Sequence, residues 1–154
     1  MQLIAKKIKE LGYELPGVSV PVASYIPAVR IGNLIYTSGS LPIKDGKLIY
    51  TGKIGEGFNS EQYGYKASEL CILNALSVIN DLAGLDNVKQ IIKLTGFVNS
   101  SDTFTGQPKV INGASDLLVK IFEDRGKHAR SAVGAVSLPL GASVELELIV
   151  EITC

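Results

Sequence analysis

Arginine is scarce in this chain, and one arginine lies where a charged side chain is unexpected. Lysine supplies twelve of the fifteen basic residues, whereas Arg130 stands in the apolar segment HARSAVGAV. A charge in an apolar strand requires a partner, because an unpaired buried charge is costly. A guanidinium matches a carboxylate through two parallel hydrogen bonds. Two alternatives follow: Arg130 binds a small carboxylate-bearing ligand, or it forms a structural ion pair with Glu145, Glu147 or Glu151.

Four other residues are of types that could act on or contact a ligand. Glu145 begins the alternating run ELELIVE, and partial desolvation there would raise its pKa and suit it to act as a general base towards water. A solvated strand face is the alternative. Gly39, after a predicted strand, either lets its backbone approach a ligand or is a plain turn glycine. Tyr25 either walls a pocket or packs in the core, and His128 is predicted to be a surface residue.

Composition and missing motifs exclude several classes of function. The chain contains no GxGxxG, GxxxxGK[ST], GxSxG or HExxH motif, so dehydrogenase, P-loop, α/β-hydrolase and zincin functions have no support. Cys71 and Cys154 have no CxxC neighbour, which predicts no metal site and two reduced thiols. The fifteen acidic residues balance the fifteen basic ones, which argues against nucleic acid as the main partner. No apolar run reaches membrane-spanning length and no signal-peptide pattern is present, so we expect a cytosolic protein without membrane contact.

Hydrophobic periodicity predicts the elements that must position these residues. The predicted helices lie at about 2–11, from Asn59 or Ser60 to Gly84, and from Pro108 to Gly126. The predicted strands lie within 24–37 around a Gly32-Asn33 turn, near 47–50, and at 89–98, 129–136 and 144–152. This order predicts an α+β fold in which two long helices cover one face of a mostly antiparallel sheet. The other face mixes Glu145, Glu147 and Ile149, and we expect it to form a contact in a homo-oligomer.

Two segments together resemble a known family. They are SYIPAVRIGNLIYTSGSLPI at 24–43 and HARSAVGAVSLPLGASVELELIVEI at 128–152. They resemble the Rid family of reactive intermediate deaminases, also called YjgF-type or L-PSP proteins, and most closely its longer subgroup. The resemblance implies a single domain over 1–154 with a chorismate-mutase-like fold of the bacillus type, to which the helix at about 2–11 is an addition. It also implies a homotrimer with ligand clefts between subunits and no metal or organic cofactor.

The resemblance further implies an activity. Active members of the Rid family hydrolyse enamines and imines, such as 2-aminoacrylate and 2-iminopropionate, to a 2-keto acid and ammonia. A non-catalytic binder of small carboxylates or keto acids at the subunit cleft is the alternative, and an RNA-directed, endoribonuclease-like role is a further one.

The family's site residues carry over by position. Arg130 matches the arginine that clamps the substrate carboxylate, and Glu145 matches the glutamate that orients or activates the attacking water. The matches for the ligand-contacting glycine, the cleft tyrosine and a pocket-edge asparagine are Gly39, Tyr25 and Asn112. The chain departs from the family at Ala132, where a cysteine is usual, so only the backbone of that residue remains available to a ligand.

The spacing of the last two strands raises a geometric question. If they formed a simple hairpin around Leu140-Gly141, Arg130 would lie near Glu151 rather than near Glu145. Either the connection is not a simple hairpin, or Arg130 and Glu145 meet across a subunit boundary.

Overall fold

Three α-helices and seven β-strands make up the described part of the chain, residues 2–18, 20 and 23–153, in this computed structural model. Cys154, predicted to be a reduced thiol, lies outside it. In chain order the elements are α1 Leu3–Glu10, β1 Ala28–Ile31, β2 Leu34–Thr37, β3 Ile43–Lys44, β4 Lys47–Leu48, α2 Glu61–Ala83, β5 Val88–Asn99, α3 Gln107–Phe122, β6 Ala129–Ala135 and β7 Val144–Ile152. A 3₁₀ turn over Glu123–Gly126 follows α3, so the helix ends four residues before Gly126, where the sequence predicted its end.

A five-stranded sheet forms one layer of the fold, with strand order β1-β2-β7-β5-β6. All neighbouring strands are antiparallel except β5 and β6, which are parallel. Helix α2 lies over β7 and β2, and α3 lies over β5 and β6. The predicted α+β fold with two long helices on one face of a mostly antiparallel sheet is therefore confirmed. The simple-hairpin alternative for β6 and β7 is wrong, because β5 lies between them.

Strand β7 shows why one sheet face is covered and the other is not. Its apolar side chains alternate with its glutamates, and all of the apolar ones on one face are buried under the helices: Val144, Leu146, Leu148, Val150 and Ile152. Side chains alternate between the two faces of a strand, so the glutamates point to the opposite, open face. On that face Glu147 is exposed, while Glu145 and Glu151 are half-buried.

Helix α2 begins at a serine cap and packs on two sides. Ser60 is the cap rather than Asn59, since its Oγ accepts a 3.1 Å hydrogen bond from the backbone N–H of Tyr63. Helical periodicity predicts an apolar stripe on α2 made of Tyr63, Ala67, Leu70, Cys71, Ala75, Val78 and Leu82. This prediction is partly wrong: Leu82 is 45% exposed, whereas Ile72 and Leu76, which lie outside the stripe, are fully buried. The buried face is wider than one stripe because α2 contacts α3 as well as the sheet.

The helix predicted at the N-terminus is present as α1, and contacts at its N-terminus and at Lys7 hold it to the rest of the chain. Asp86 accepts hydrogen bonds from the backbone N–H groups of Leu3 and Ile4 at 2.9 and 2.8 Å. Lys7 forms a 2.6 Å ion pair with Glu123 beyond α3. Helix α1 therefore packs against the C-terminal end of α3. Among the residues described, no helix is both long and apolar enough to cross a bilayer.

Candidate active site

Arg130 lies on β6, one of the two edge strands of the five-stranded sheet, and its side chain points towards the helices. Its register partner on β5 is Leu94, which is buried in the core, and residues paired across a sheet point to the same face. The Nη1 group of Arg130 donates hydrogen bonds to Oδ1 of Asn112 at 2.7 Å and to Oγ of Ser115 at 3.2 Å. Asn112 and Ser115 lie three residues apart on α3 and so share one face of that helix.

The structure contains no ion pair between Arg130 and a carboxylate among the residues described. Glu145, Glu147 and Glu151 lie on the open face of the sheet, whereas the guanidinium of Arg130 lies on the covered face. Glu151 accepts hydrogen bonds from Lys89 and Asn33 instead. The structural ion-pair alternative is therefore wrong within one chain. The other two guanidinium nitrogens, Nη2 and Nε, make no hydrogen bond to the described residues and are not buried.

A serine and the only histidine of the chain lie behind the guanidinium. Oγ of Ser115 is 2.9 Å from Nε2 of His128, and Nδ1 of His128 is 2.6 Å from the carbonyl oxygen of Gly126. The prediction that His128 is a surface residue is wrong, since its ring is half-buried and hydrogen-bonded through both nitrogens. Burial lowers the pKa of His128, and the positive charge of Arg130 lowers it further, against the opposing effect of the Gly126 carbonyl.

Glu145 lies on the open sheet face directly against Gly39. A Cβ atom built on Gly39 would overlap Oε1 of Glu145 and would lie 2.9 Å from its Cδ. The Glu145 carboxylate can therefore keep this position only because residue 39 is glycine. Burial raises the pKa of Glu145, and the neighbouring charge of Glu147 adds to this effect. A carboxylate of raised pKa is a better base towards water than an ordinary one.

Tyr25 and Gly39 both line a cavity of about 250 Å³, together with Val18, Val20 and Pro27, the loop after β2, and α2. Its other lining residues are mainly apolar, with polar groups from Ser38, Ser40 and Asn74. The ring of Tyr25 is 57% exposed, so it walls this cavity rather than packing in the core. Gly39 links the cavity to Glu145, which does not line it, because Gly39 borders both. We call Tyr25, Gly39 and Glu145 the base half of the site.

Arg130, Asn112, Ser115 and Ala132 form a second region, which we call the clamp half. Ala132 pairs with Gly96, so it points to the same face as Arg130, and it packs against the core. The two halves do not meet within one chain. The register places Glu145 two strands and three residues away from Arg130, which corresponds to roughly 14 Å between Cα atoms, and on the opposite face of the sheet.

Sequence reasoning missed Ser115 and wrongly placed His128 on the surface, although a signal for both is present. Ser115 follows Asn112 by three residues, the spacing of neighbours on one helix face. His128 precedes Arg130 by two residues, the spacing of neighbours on one side of an extended chain. Nothing in the sequence alone shows that these two faces meet, because the contact depends on how α3 crosses β6.

The comparisons with known proteins agree with this architecture. The sequence profile of a family described as "YjgF/chorismate_mutase-like, putative endoribonuclease" matches residues 5–152. The chain belongs to the YjgF family. Protein TCP17 of Trypanosoma cruzi is 40% identical over 151 residues, which cover 97% of this chain and 94% of that protein. The suspected membership of the YjgF, or Rid, family is therefore confirmed.

Two solved structures match almost the whole chain. The protein Atu1372 of Agrobacterium tumefaciens, of unknown function, is 42% identical with a TM-score of 0.91, over 97% of this chain and 92% of that one. A "putative endoribonuclease" from Shewanella oneidensis is 33% identical with a TM-score of 0.92, over 97% and 99%. The predicted chorismate-mutase-like fold is thereby confirmed, whereas the roles of the site residues stay predictions. No group of three metal-ligating side chains occurs among the residues that the structure describes.

Proposed function

We propose that this YjgF protein hydrolyses small imines and enamines that carry a carboxylate, releasing a 2-keto acid and ammonia. The observation that carries the proposal is the state of Arg130. Its guanidinium is held to α3 through Nη1 alone, while Nη2 and Nε have no protein partner among the described residues. Two adjacent free donors match the two oxygens of a carboxylate. A small molecule that carries a carboxylate is therefore the ligand that this site fits best.

The reaction requires a base near the bound imine. With the carboxylate held by Arg130, the imine carbon lies next to a water molecule from which Glu145 accepts a proton. The resulting hydroxide adds to the carbon of the protonated C=N bond, and Glu145 then returns the proton to the nitrogen. The C–N bond breaks as the C=O bond forms, Glu145 accepts the hydroxyl proton, and that proton passes to the departing ammonia, which leaves as ammonium. An enamine first accepts a proton at carbon and becomes an imine. Positioning and one base suffice, because such imines also hydrolyse without a catalyst.

The two halves of the site must come from different subunits for this chemistry to occur. In one chain Arg130 and Glu145 are on opposite faces of the sheet, so the clamp half of one copy has to face the base half of another. A contact between two different surfaces closes into a ring when the rotation allows it. We therefore propose a homotrimer in which each cleft takes Arg130 and Asn112 from one subunit and Tyr25, Gly39 and Glu145 from its neighbour.

The first test is the rate of pyruvate and ammonia release from 2-iminopropionate generated in situ. We expect wild type to accelerate release and Arg130→Ala to abolish the acceleration while leaving the circular dichroism spectrum unchanged. Arg30→Ala is a matched control, because Arg30 is an exposed strand arginine whose Nε bonds only to the carbonyl oxygen of Gly32. Full activity of Arg130→Ala would refute the clamp.

A second test addresses the shared cleft. Arg130→Ala and Glu145→Gln subunits are each expected to be inactive alone. When they are refolded together in equal amounts, about a quarter of the clefts should regain one intact Arg130 and one intact Glu145, because each cleft draws its two halves independently. If the mixture stays inactive although sizing and mass measurements show mixed assemblies, the two halves do not belong to one site.

Two other functions make different predictions in the same experiments. A non-catalytic binder of carboxylates or keto acids would bind pyruvate in an Arg130-dependent way without releasing ammonia from the imine. An endoribonuclease-like activity, suggested by the names of relatives, would bind RNA with a steep dependence on salt. The balanced charge of the chain disfavours the RNA function. The cytosolic location of the protein stays a prediction.

A further inference from the structure

The hydrogen bonds behind Arg130 form a chain that ends at a backbone carbonyl. It runs from Nη1 of Arg130 to Oγ of Ser115 at 3.2 Å, from Ser115 to Nε2 of His128 at 2.9 Å, and from Nδ1 of His128 to the carbonyl oxygen of Gly126 at 2.6 Å. The members come from β6, α3 and the turn that joins them. Neither Ser115 nor His128 has a part in the reaction proposed above.

The chemistry of the end groups determines the direction of every hydrogen bond in this chain. A carbonyl oxygen can only accept, so Nδ1 of His128 carries the hydrogen. In the neutral ring Nε2 is then an acceptor, and the Ser115 hydroxyl must donate its hydrogen to it. The lone pairs of Ser115 Oγ are thereby left for Arg130, which can only donate. Burial lowers the pKa of His128, which agrees with a neutral ring at neutral pH.

Asn112 and Ser115 together fix the orientation of the guanidinium. Both accept from the same nitrogen, Nη1, at 2.7 and 3.2 Å. Two acceptors on one nitrogen hold the plane of the group and direct Nη2 and Nε away from α3. A serine hydroxyl without His128 would rotate freely and could turn its hydrogen towards Arg130, which would remove one of these two acceptors.

We infer that Ser115 and His128 are positioning residues that hold the guanidinium of Arg130 ready to bind a carboxylate. The inference rests on the proposed function for the clamp role of Arg130. His128 determines the direction in which the Ser115 hydroxyl points, and Ser115 in turn fixes the position of Nη1. Preorganisation of this kind increases affinity because the ligand does not have to order the side chain on binding. The effect is expected on carboxylate binding rather than on the chemical step.

The histidine can be observed directly, because His128 is the only histidine in the chain. In the long-range ¹H–¹⁵N spectrum of the full chain at neutral pH, we expect a neutral ring with hydrogen on Nδ1. This is the less common tautomer of a free histidine, so it reports the two hydrogen bonds. Pyruvate, the proposed product, should shift the Nε2 signal in wild type and not in Ser115→Ala. A ring with hydrogen on Nε2, or a charged ring, would overturn the inference.

Binding and kinetics separate positioning from a merely structural role. For Ser115→Ala we expect the dissociation constant of pyruvate and the KM of the imine to rise about tenfold, equivalent to about 1.4 kcal/mol, with kcat within about twofold of wild type. His128→Leu should act in the same direction. His128→Gln should restore wild-type binding, because its Oε1 supplies the acceptor that Ser115 requires.

Ser131→Ala is the matched control, since Ser131 is the next residue after Arg130 and points to the opposite face, near Lys93. It should bind pyruvate as wild type does. Wild-type binding by Ser115→Ala, or a His128→Gln variant as weak as His128→Leu, would overturn the inference. So would a wild-type protein that does not bind pyruvate. Tenfold weaker pyruvate binding by Ser115→Ala in a protein that hydrolyses no imine would support the inference and reject the proposed function.

Discussion

Replacement of Gly39 by alanine tests whether the position of the Glu145 carboxylate matters for turnover. The added methyl group would overlap Oε1 of Glu145 and lie 2.9 Å from Cδ and 3.2 Å from Cγ. Carbon atoms in contact prefer separations of about 3.5–4.0 Å. The carboxylate must therefore move by about 1 Å or swing to another rotamer. A displacement of about 1 Å in a reacting group can reduce the rate by about a hundredfold, and we expect a loss of kcat of that size.

The fold should not be affected by this substitution. Gly39 is not among the glycines with positive φ, so alanine fits its backbone conformation. The group that must yield is the end of a flexible side chain rather than backbone, and alanine also reduces the entropy of the unfolded chain. We expect the free energy of unfolding to change by less than about 1 kcal/mol. The substitution leaves the hydrogen-bond donors of Arg130 unchanged, so we expect pyruvate binding to weaken by much less than kcat falls.

The assay compares kcat for imine hydrolysis with pyruvate binding and thermal unfolding in Gly39→Ala and Gly17→Ala. Gly17 is the matched control, because its φ is not positive and an added Cβ would meet no atom within 4 Å. We expect Gly17→Ala to behave as wild type in all three measurements. Wild-type kcat in a folded Gly39→Ala variant would refute the reasoning, since the carboxylate would then be displaced without consequence.

Three further substitutions test the charges of the fold. Burial raises the folded-state pKa of Glu145, so the free energy of unfolding decreases as pH rises through that pKa. At neutral pH we therefore expect Glu145→Gln, which no longer hydrolyses imine, to have a higher melting temperature than wild type. The same shift predicts that wild-type kcat falls as pH drops below the raised pKa. The folded-state pKa of His128 lies below its ordinary value of 6.5, so stability that is present above 6.5 is lost as pH falls through the folded-state pKa. We expect the melting temperature of wild type to fall between about pH 7.5 and about pH 5.5, and that of His128→Gln to fall less. Asp86→Ala should lower the melting temperature without changing kcat, because it removes the acceptor for the first N–H groups of α1, whereas Asp81→Ala at an exposed position of α2 should change neither.

Most of the fold could be predicted from local patterns. The alternation of β7 identified the buried and open faces correctly, because a strand places successive side chains on opposite sides. The Gly32-Asn33 turn between β1 and β2 was also found where the sequence predicted it. The apolar stripe of α2 was partly wrong, since a helix packed against both a sheet and another helix is buried over a wider face than one period reveals.

Local sequence patterns did not predict which residues of the candidate site meet. The residue types singled out Arg130 and Glu145, yet they left the partner of Arg130 open between a ligand and a glutamate of β7. The strand order decided this, because β5 enters between β6 and β7 and places the two side chains on opposite faces. A connection that returns to a non-adjacent strand has no signature in the spacing of its residues.

The sequence by itself determined most of the secondary structure and the covered face of the sheet, because both depend on neighbours close along the chain, and it supplied the residue types available for chemistry. Only the tertiary structure decided which of those residues meet. It placed Ser115 and His128 behind Arg130, set Glu145 against Gly39, and separated the clamp half from the base half within one chain. Such contacts join residues that are distant in sequence, and they depend on how α3 crosses the sheet and on the order in which the strands pair.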